Sequence, residues 1–135
     1  MKIHLLIGSI LLSASLPLCH AADAMKPTMP GVGQGQAFTQ TDGAALYEAI
    51  CQACHMPAGA GGSGAGSYPA LARNTHLKAK VYPITKVLYG SKAMPPFKGQ
   101  LSDEQIAAVV GYVRTHFGNR YTDRISPADV KALRQ

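Results

Sequence analysis

The chain has 135 residues, and its thirteen Lys and Arg against seven Asp and Glu give a formal net charge of +6. A chain of that length builds one small domain and leaves no room for a separate substrate domain. Its basic residues are scattered rather than gathered into a stripe, which argues against nucleic-acid binding and for an acidic protein partner.

Residues 1–22 read as a secretory signal peptide. Lys2 supplies the positive end, Ile3 to Leu18 form a mostly apolar run, and the small residues Ala21, Ala22 and Ala24 follow. Ser13, Ser15 and Pro17 interrupt the run, which is too short for a membrane span. Cleavage is expected before Ala22, Asp23 or Met25. A lipid anchor on Cys19 is the competing reading, but Leu18 stands where a small residue is expected before a lipidated cysteine. Lys2 carries the one counted charge of this segment, so the exported chain keeps +5, has no transmembrane segment and retains only Cys51 and Cys54.

Residues 23–40 follow as an arm rich in Pro and Gly, with Pro27, Pro30, Gly31, Gly33 and Gly35, and are expected to be irregular. The first helix should start with Thr41 or Asp42 as its cap. Leu46, Ile50 and Ala53 or Cys54 share one face at spacings of three and four, so the helix runs into Cys51-Gln52-Ala53-Cys54-His55. Two thiols at this spacing each add across a vinyl group of one haem, and the histidine after them is placed to bind the iron. A thioredoxin-like redox pair would need a preceding strand and a βαβ unit, and a helical pattern precedes the motif instead. A structural zinc site needs four ligands, and no second cysteine pair exists. His76 and His116 could complete one only if Cys51, Cys54 and His55 all met the same metal, which the adjacency of Cys54 and His55 makes awkward. One covalently bound haem c remains, and export agrees with it, because this attachment takes place outside the bacterial cytoplasm.

Ala58 to Gly66 is a loop by composition, and Gly59, Gly61 and Gly64 make a formal G-x-G-x-x-G match. No strand precedes it and no acidic residue follows at the right distance, so it is not a nucleotide fingerprint. Glycines here are expected to let the chain wrap closely around the macrocycle. Tyr68-Pro69-Ala70-Leu71 then returns an apolar group toward the haem. A second helix is predicted over about 81–89, with Pro83 in its first turn, an apolar face of Ile84, Val87 and Leu88, and a stop at Gly90. A third begins at Ser102 with Gln105 as capping-box partner and Leu101 stapled to Ile106; its stripe of Ile106, Val109, Val110, Val113 and Phe117 runs to Gly118. A short terminal helix is predicted with Ser126 as cap, Pro127 at its first position and Ile125 against Val130. No strand pattern competes. The expected class is all-α, with about three core helices wrapped around one covalent haem and a short C-terminal helix.

The sixth position on the iron decides what such a haem does. An open site permits ligand or oxygen chemistry, whereas a thioether closes it and favours electron transfer. Met94, in Gly90-Ser91-Lys92-Ala93-Met94-Pro95-Pro96-Phe97, is the candidate, because two prolines of fixed φ hold its loop. Met56 adjoins the proximal histidine, and Met25 and Met29 lie in the arm. His76 and His116 are the alternatives, and a methionine that merely fills core space is the plainest reading.

Gly43-x-x-x-Tyr47-x-x-x-Cys51-x-x-Cys54-His55, then Tyr68-Pro69-x-Leu71, Met94-Pro95 and Val109-Val110-x-Tyr112-Val113 together resemble a class I (mono-haem) cytochrome c over about residues 41–118. The stretch from Met94 to Phe117 is similar to the small cytochrome subunits that accept electrons from periplasmic or membrane-associated dehydrogenases. The resemblance implies that His55 and Met94 are the axial ligands, and that Gly43 and Tyr47 lie where the first helix crosses the last core helix near Tyr112. With the readings above, four parts are expected: signal peptide (1–22), arm (23–40), cytochrome domain (41–119) and a C-terminal extension with a short helix (120–135), the arm and the tail departing from the family's pattern. The expected function is that of a periplasmic one-electron carrier, free or peripheral at the inner membrane, between a dehydrogenase and a terminal acceptor or oxidase, and not an enzyme in itself. Lys86, Lys92 and Lys98 are expected to surround an exposed haem edge and to meet an acidic docking surface. The alternatives are a haem enzyme or gas sensor with a displaceable sixth ligand, and a haem subunit of a larger oxidoreductase.

Overall fold

Asp42 starts the first helix, its Oδ1 accepting hydrogen bonds from the N–H groups of Ala44 and Ala45, both at 3.0 Å. Two of the donors that every helix start leaves unpaired are satisfied this way. The structure, a computed structural model, describes residues 38–62 and 66–135; the signal peptide, all but the last three residues of the arm, and Gly64 lie outside the described residues. From Asp42, α1 (Gly43–Leu46) passes directly into a π-helical turn, Tyr47–Cys51, and then into α2 (Gln52–His55). A π turn winds one extra residue into the repeat and rotates everything after it. Leu46, Tyr47 and His55 are buried, Ile50, Cys51 and Cys54 are half-buried, and Ala53 faces solvent. Of the two residues expected to continue the face after Ile50, Cys54 does so and Ala53 does not, and the face runs on to His55.

A 3-10 turn, Thr75–Lys78, is capped by Asn74, which accepts from the His76 N–H at 3.0 Å. Next, α3 (Val81–Tyr89) buries Pro83, Ile84 and Leu88 and stops at Gly90, whose φ of +72° suits glycine. In α4 (Asp103–Thr115) both halves of the expected capping box form: Ser102 Oγ accepts from the Gln105 N–H at 3.2 Å, and Gln105 Oε1 accepts from the Ser102 N–H at 2.9 Å. Gln105 also donates through Nε2 to the carbonyls of Phe38 and Gln40, which ties the incoming chain to the start of α4.

The end of α4 falls at Thr115 rather than at Gly118. Thr115 Oγ1 bonds back to the carbonyls of Gly111 and Tyr112, His116 is extended, and Phe117 and Gly118 have φ of +57° and +79°. Two left-handed residues reverse the chain, so Phe117 leaves the helical stripe and returns onto Tyr47 with ring centroids 4.8 Å apart. Lastly, α5 (Pro127–Lys131) has Ser126 as cap and Pro127 at its first position, as expected, and Asp129 completes a capping box that the sequence reading did not include. Val130 is fully buried, and Lys80 Nζ meets Asp129 Oδ1 at 2.7 Å, tying α5 to the start of α3.

The hub of the described residues is α4, packed against α1, α3 and α5. At the α1 crossing the backbones touch: a Cβ on Gly43 would lie 2.4 Å from the Ala108 carbonyl oxygen and 2.8 Å from Tyr112 Cβ. Only glycine fits there. The described residues hold no strand, only isolated bridges at Gly62 with Tyr68 and Ser91 with Met94. The fold is all-α.

Candidate haem site

The π turn and α2 deliver Cys51, Cys54 and His55 as one unit. Both cysteines are half-buried free thiols, and His55 is 8% exposed. Burial first, and then the neighbouring Cys54, push the Cys51 thiol up to about 12. A nucleophilic redox cysteine needs the opposite shift, so a thioredoxin-like role fails on electrostatics as well as on fold. The His55 Nδ1 lies 3.0 Å from the Pro69 carbonyl oxygen. A carbonyl only accepts, so the proton sits on Nδ1 and Nε2 keeps its lone pair for a metal. Two thiols and an oriented imidazole are the donor set that a covalently attached haem requires.

Tyr47 supports this unit from behind. Its hydroxyl donates to the Met56 carbonyl at 2.7 Å, and its ring packs between Phe117 and Tyr112, the latter with centroids 5.8 Å away. Burial pushes the Tyr47 hydroxyl up to about 12, so it remains a donor at any ordinary pH. The described glycines of the following loop serve the chain itself. Gly59 (φ +65°) lies beneath the Phe117 ring, and Gly61 (φ +67°) lies so close to the Tyr68–Ala70 backbone that a Cβ would sit 2.4 Å from the Tyr68 carbonyl oxygen. The close approach expected toward a macrocycle is, at these two positions, an approach of protein to protein. It is this fold-back that brings the Pro69 carbonyl to His55.

Met94 is half-buried against the core and sits in a tight turn. Ser91 N–H donates to the Met94 carbonyl at 3.0 Å, and Met94 N–H donates to the Ser91 carbonyl at 2.9 Å. A Cβ on Gly90 would lie 2.4 Å from the Met94 carbonyl oxygen, so this loop too depends on a glycine. Phe97 N–H and Lys98 N–H then bond to the carbonyls of Val87 and Leu88, closing the loop onto α3. His76 is exposed and stacked on Tyr82, with centroids 5.5 Å apart. His116 is exposed and stacked on Tyr112, with Nδ1 2.9 Å from the Tyr112 carbonyl. A zinc site built from these two histidines and the motif is not assembled.

Of the three lysines singled out, Lys92 is exposed, Lys86 Nζ bonds Ser91 Oγ at 2.9 Å, and Lys98 Nζ bonds the Gln135 carbonyl at 3.0 Å. A broader charge pattern surrounds them. Residues 49–102 contain no Asp or Glu and carry Arg73, Lys78, Lys80, Lys86, Lys92 and Lys98. That stretch spans the haem motif, the loop, α3 and Met94, and counting acids along the chain would have found it. Surface grooves of about 370 Å³ beside α4 and about 580 Å³ beside His76 and Tyr82 lie elsewhere, and Cys51, Cys54, His55 and Met94 line neither.

An all-α fold that presents two thiols and an oriented histidine at a helix end defines a c-type cytochrome domain. Residues 38–113 match the family described as cytochrome c oxidase, cbb3-type, subunit III, and the chain belongs to that family of cytochrome c domains. It is 41% identical over 110 residues to the fructose dehydrogenase cytochrome subunit of Gluconobacter japonicus, across 70% of this chain and 22% of that one. Over 135 residues it is 34% identical to the cytochrome c subunit of a quinone alcohol dehydrogenase of Gluconobacter oxydans (strain 621H), across 79% of this chain and 28% of the relative. Cytochrome c6 of Leptolyngbya boryana is 40% identical over 72 residues, which cover 53% of this chain and 85% of that shorter protein. The chain thus spans less than a third of each dehydrogenase subunit and most of a cytochrome c6. It is a c-type cytochrome domain with covalently bound haem c.

Proposed function

We propose that this cytochrome takes electrons from a periplasmic or membrane-associated dehydrogenase and passes them singly to a terminal acceptor or oxidase. Cys51 and Cys54 would hold the haem as thioethers, and His55 Nε2 and the Met94 sulfur would bind its iron. The observation that carries the ligand assignment is the hydrogen bond from His55 Nδ1 to the Pro69 carbonyl, which occupies one ring nitrogen of a buried imidazole and leaves Nε2 for the iron. Haem c supplies an iron that cycles between Fe(II) and Fe(III). The protein's own part is to hold both ligands still, so that electron transfer costs little rearrangement. Pro69 fixes the imidazole plane, and the double hydrogen bond between Ser91 and Met94, with Pro95 and Pro96 behind it, fixes the thioether. A thioether favours Fe(II) and raises the potential.

The dehydrogenase donor is supported by the likeness to two dehydrogenase cytochrome subunits, and the periplasm by the leader-like residues 1–22. An acidic docking face on the partner is supported by the carboxylate-free stretch 49–102. Denatured protein should keep its haem stain on a gel, and Cys51→Ala or Cys54→Ala should weaken that attachment. Met94→Ala should retain the haem, lower the reduction potential and admit carbon monoxide to the ferrous iron. Colour extracted from the wild type by acidic organic solvent would sink the attachment, and an unchanged potential in Met94→Ala would sink the sixth ligand.

A further inference from the structure

The last residues of the chain hold both stems of the Met94 loop. On the stem before it stands Tyr89, the final residue of α3. Its hydroxyl donates to the Leu133 carbonyl at 2.7 Å and accepts from the Gln135 N–H at 2.8 Å. On the stem after it, Lys98 Nζ donates to the Gln135 carbonyl at 3.0 Å while lying 4.9 Å above the Tyr89 ring. Arg134 completes the grip: its guanidinium donates to the carbonyls of Lys98 and Leu101, the latter at 2.9 Å, and pairs through Nε with Asp103 Oδ1 at 2.6 Å. The side chains in this ion pair are only 24% and 20% exposed.

The loop between the stems is internally rigid, because Ser91 and Met94 bond to each other in both directions and Gly90 lies against the Met94 carbonyl. Such a loop moves as a body about its stems. Splaying of Tyr89 from Lys98 is resisted first by two backbone hydrogen bonds onto α3, from the Phe97 N–H to the Val87 carbonyl and from the Lys98 N–H to the Leu88 carbonyl. The tail adds a second layer that spans the gap from outside. We propose that Tyr89 and Arg134 are positioning residues for the sixth ligand, and that Leu133–Gln135 is a brace keeping the Met94 sulfur within reach of the iron. This rests on Met94 being that ligand. A neutral thioether stays bound only while its loop is held closed, so loss of the brace populates an open loop with a five-coordinate iron.

The test compares holoprotein carrying Tyr89→Phe with Arg134→Gln, together and singly, against wild type, Met94→Ala and Arg114→Met. In the double variant the weak red-end band of the ferric form should fade well below the temperature of global unfolding read by far-ultraviolet circular dichroism. Carbon monoxide should combine with its ferrous form about tenfold faster, the bias expected from one or two net hydrogen bonds. Arg114→Met, which loosens the fold elsewhere, should lower the unfolding temperature without either change. If the double variant keeps its band until global unfolding and binds carbon monoxide like wild type, while Met94→Ala binds it freely, the brace is refuted and the ligand assignment stands. If Met94→Ala leaves the band and the carbon monoxide rate unchanged, the ligand assignment falls and the brace falls with it.

Discussion

Arg114 shows how much a single side chain outside the haem motif contributes. It projects from α4 with 1% of its surface exposed, and its guanidinium donates to the carbonyls of Leu77, Lys78 and Asp123 at 2.7–2.9 Å and to Asp123 Oδ1 at 2.6 Å. The Asp123 side chain is 60% exposed, so the ion pair itself contributes little. The larger effect is on the buried Leu77 carbonyl and the partly buried carbonyls of Lys78 and Asp123, all of which would lose their donor, and on the buried side of α4 that the guanidinium fills. Arg114→Met, which keeps the stem but removes every donor, should cost roughly 3 kcal/mol and lower Tm by on the order of 10 °C. Asp123→Asn should change Tm far less. Urea unfolding of both variants checks this, and equal losses would show that the ion pair dominates after all. The Arg114 cluster was not legible in the sequence, because its partners lie up to 37 residues away and are backbone carbonyls that any residue could supply. The same holds for Pro69: its importance to His55 lies in a carbonyl, which leaves no mark on residue identity. By contrast Cys51, Cys54 and His55 were legible because their chemistry is contiguous.

Among the elements, α3, α4 and α5 follow from local rules, since each has an apolar period and a cap or stop residue of the right chemistry. The π turn carries no such mark; its geometry answers to Gly43 pressed on Ala108 at one end and His55 turned to Pro69 at the other. Phe117 misled for a related reason: it continues the α4 stripe in sequence, yet the aromatic contact with Tyr47 lies off the helix. The start of α5 gives a pH test. Asp129 is held down at about 2, first by the Lys80 ammonium and then by the Ser126 N–H and hydroxyl. An unfolded aspartate titrates at about 3.9, so the folded value is the lower of the two. The stabilisation is therefore complete above about pH 4 and lost as pH falls toward 2. Asp129→Asn should unfold more easily than wild type at pH 7 and equally at pH 2. A gap that persists undiminished at pH 2 would mean that the ionised carboxylate is not its source, and no gap at either pH would mean that α5 is held by packing of Val130 alone.

For the whole molecule, charge is divided along the chain. Residues 49–102 carry six basic side chains and no carboxylate, whereas Asp42, Glu48, Asp103, Glu104, Asp123 and Asp129 lie outside that stretch. A partner with an acidic face would be attracted from a distance, and screening over about 8 Å at physiological ionic strength would weaken the attraction. Electron transfer with a physiological dehydrogenase should slow clearly as salt rises, and charge reversal at Lys86 and Lys92 should slow it further while moving the potential far less than Met94→Ala does. Rates independent of salt in both proteins would make docking apolar. The long-range hydrogen bonds of α4 bear on how the domain comes apart. Gln105 near its start holds Phe38 and Gln40, Arg114 near its end holds Leu77, Lys78 and Asp123, and Asp103 holds Arg134. Most of these link segments distant in sequence, so among the described residues none of the segments held by α4 can fray without exposing a polar group whose partner stays behind. The segments tied to α4 are therefore expected to open together, with amide protons in the first helix, the 3-10 turn and Leu133–Gln135 exchanging at one common protection level; separate levels for the three would refute this.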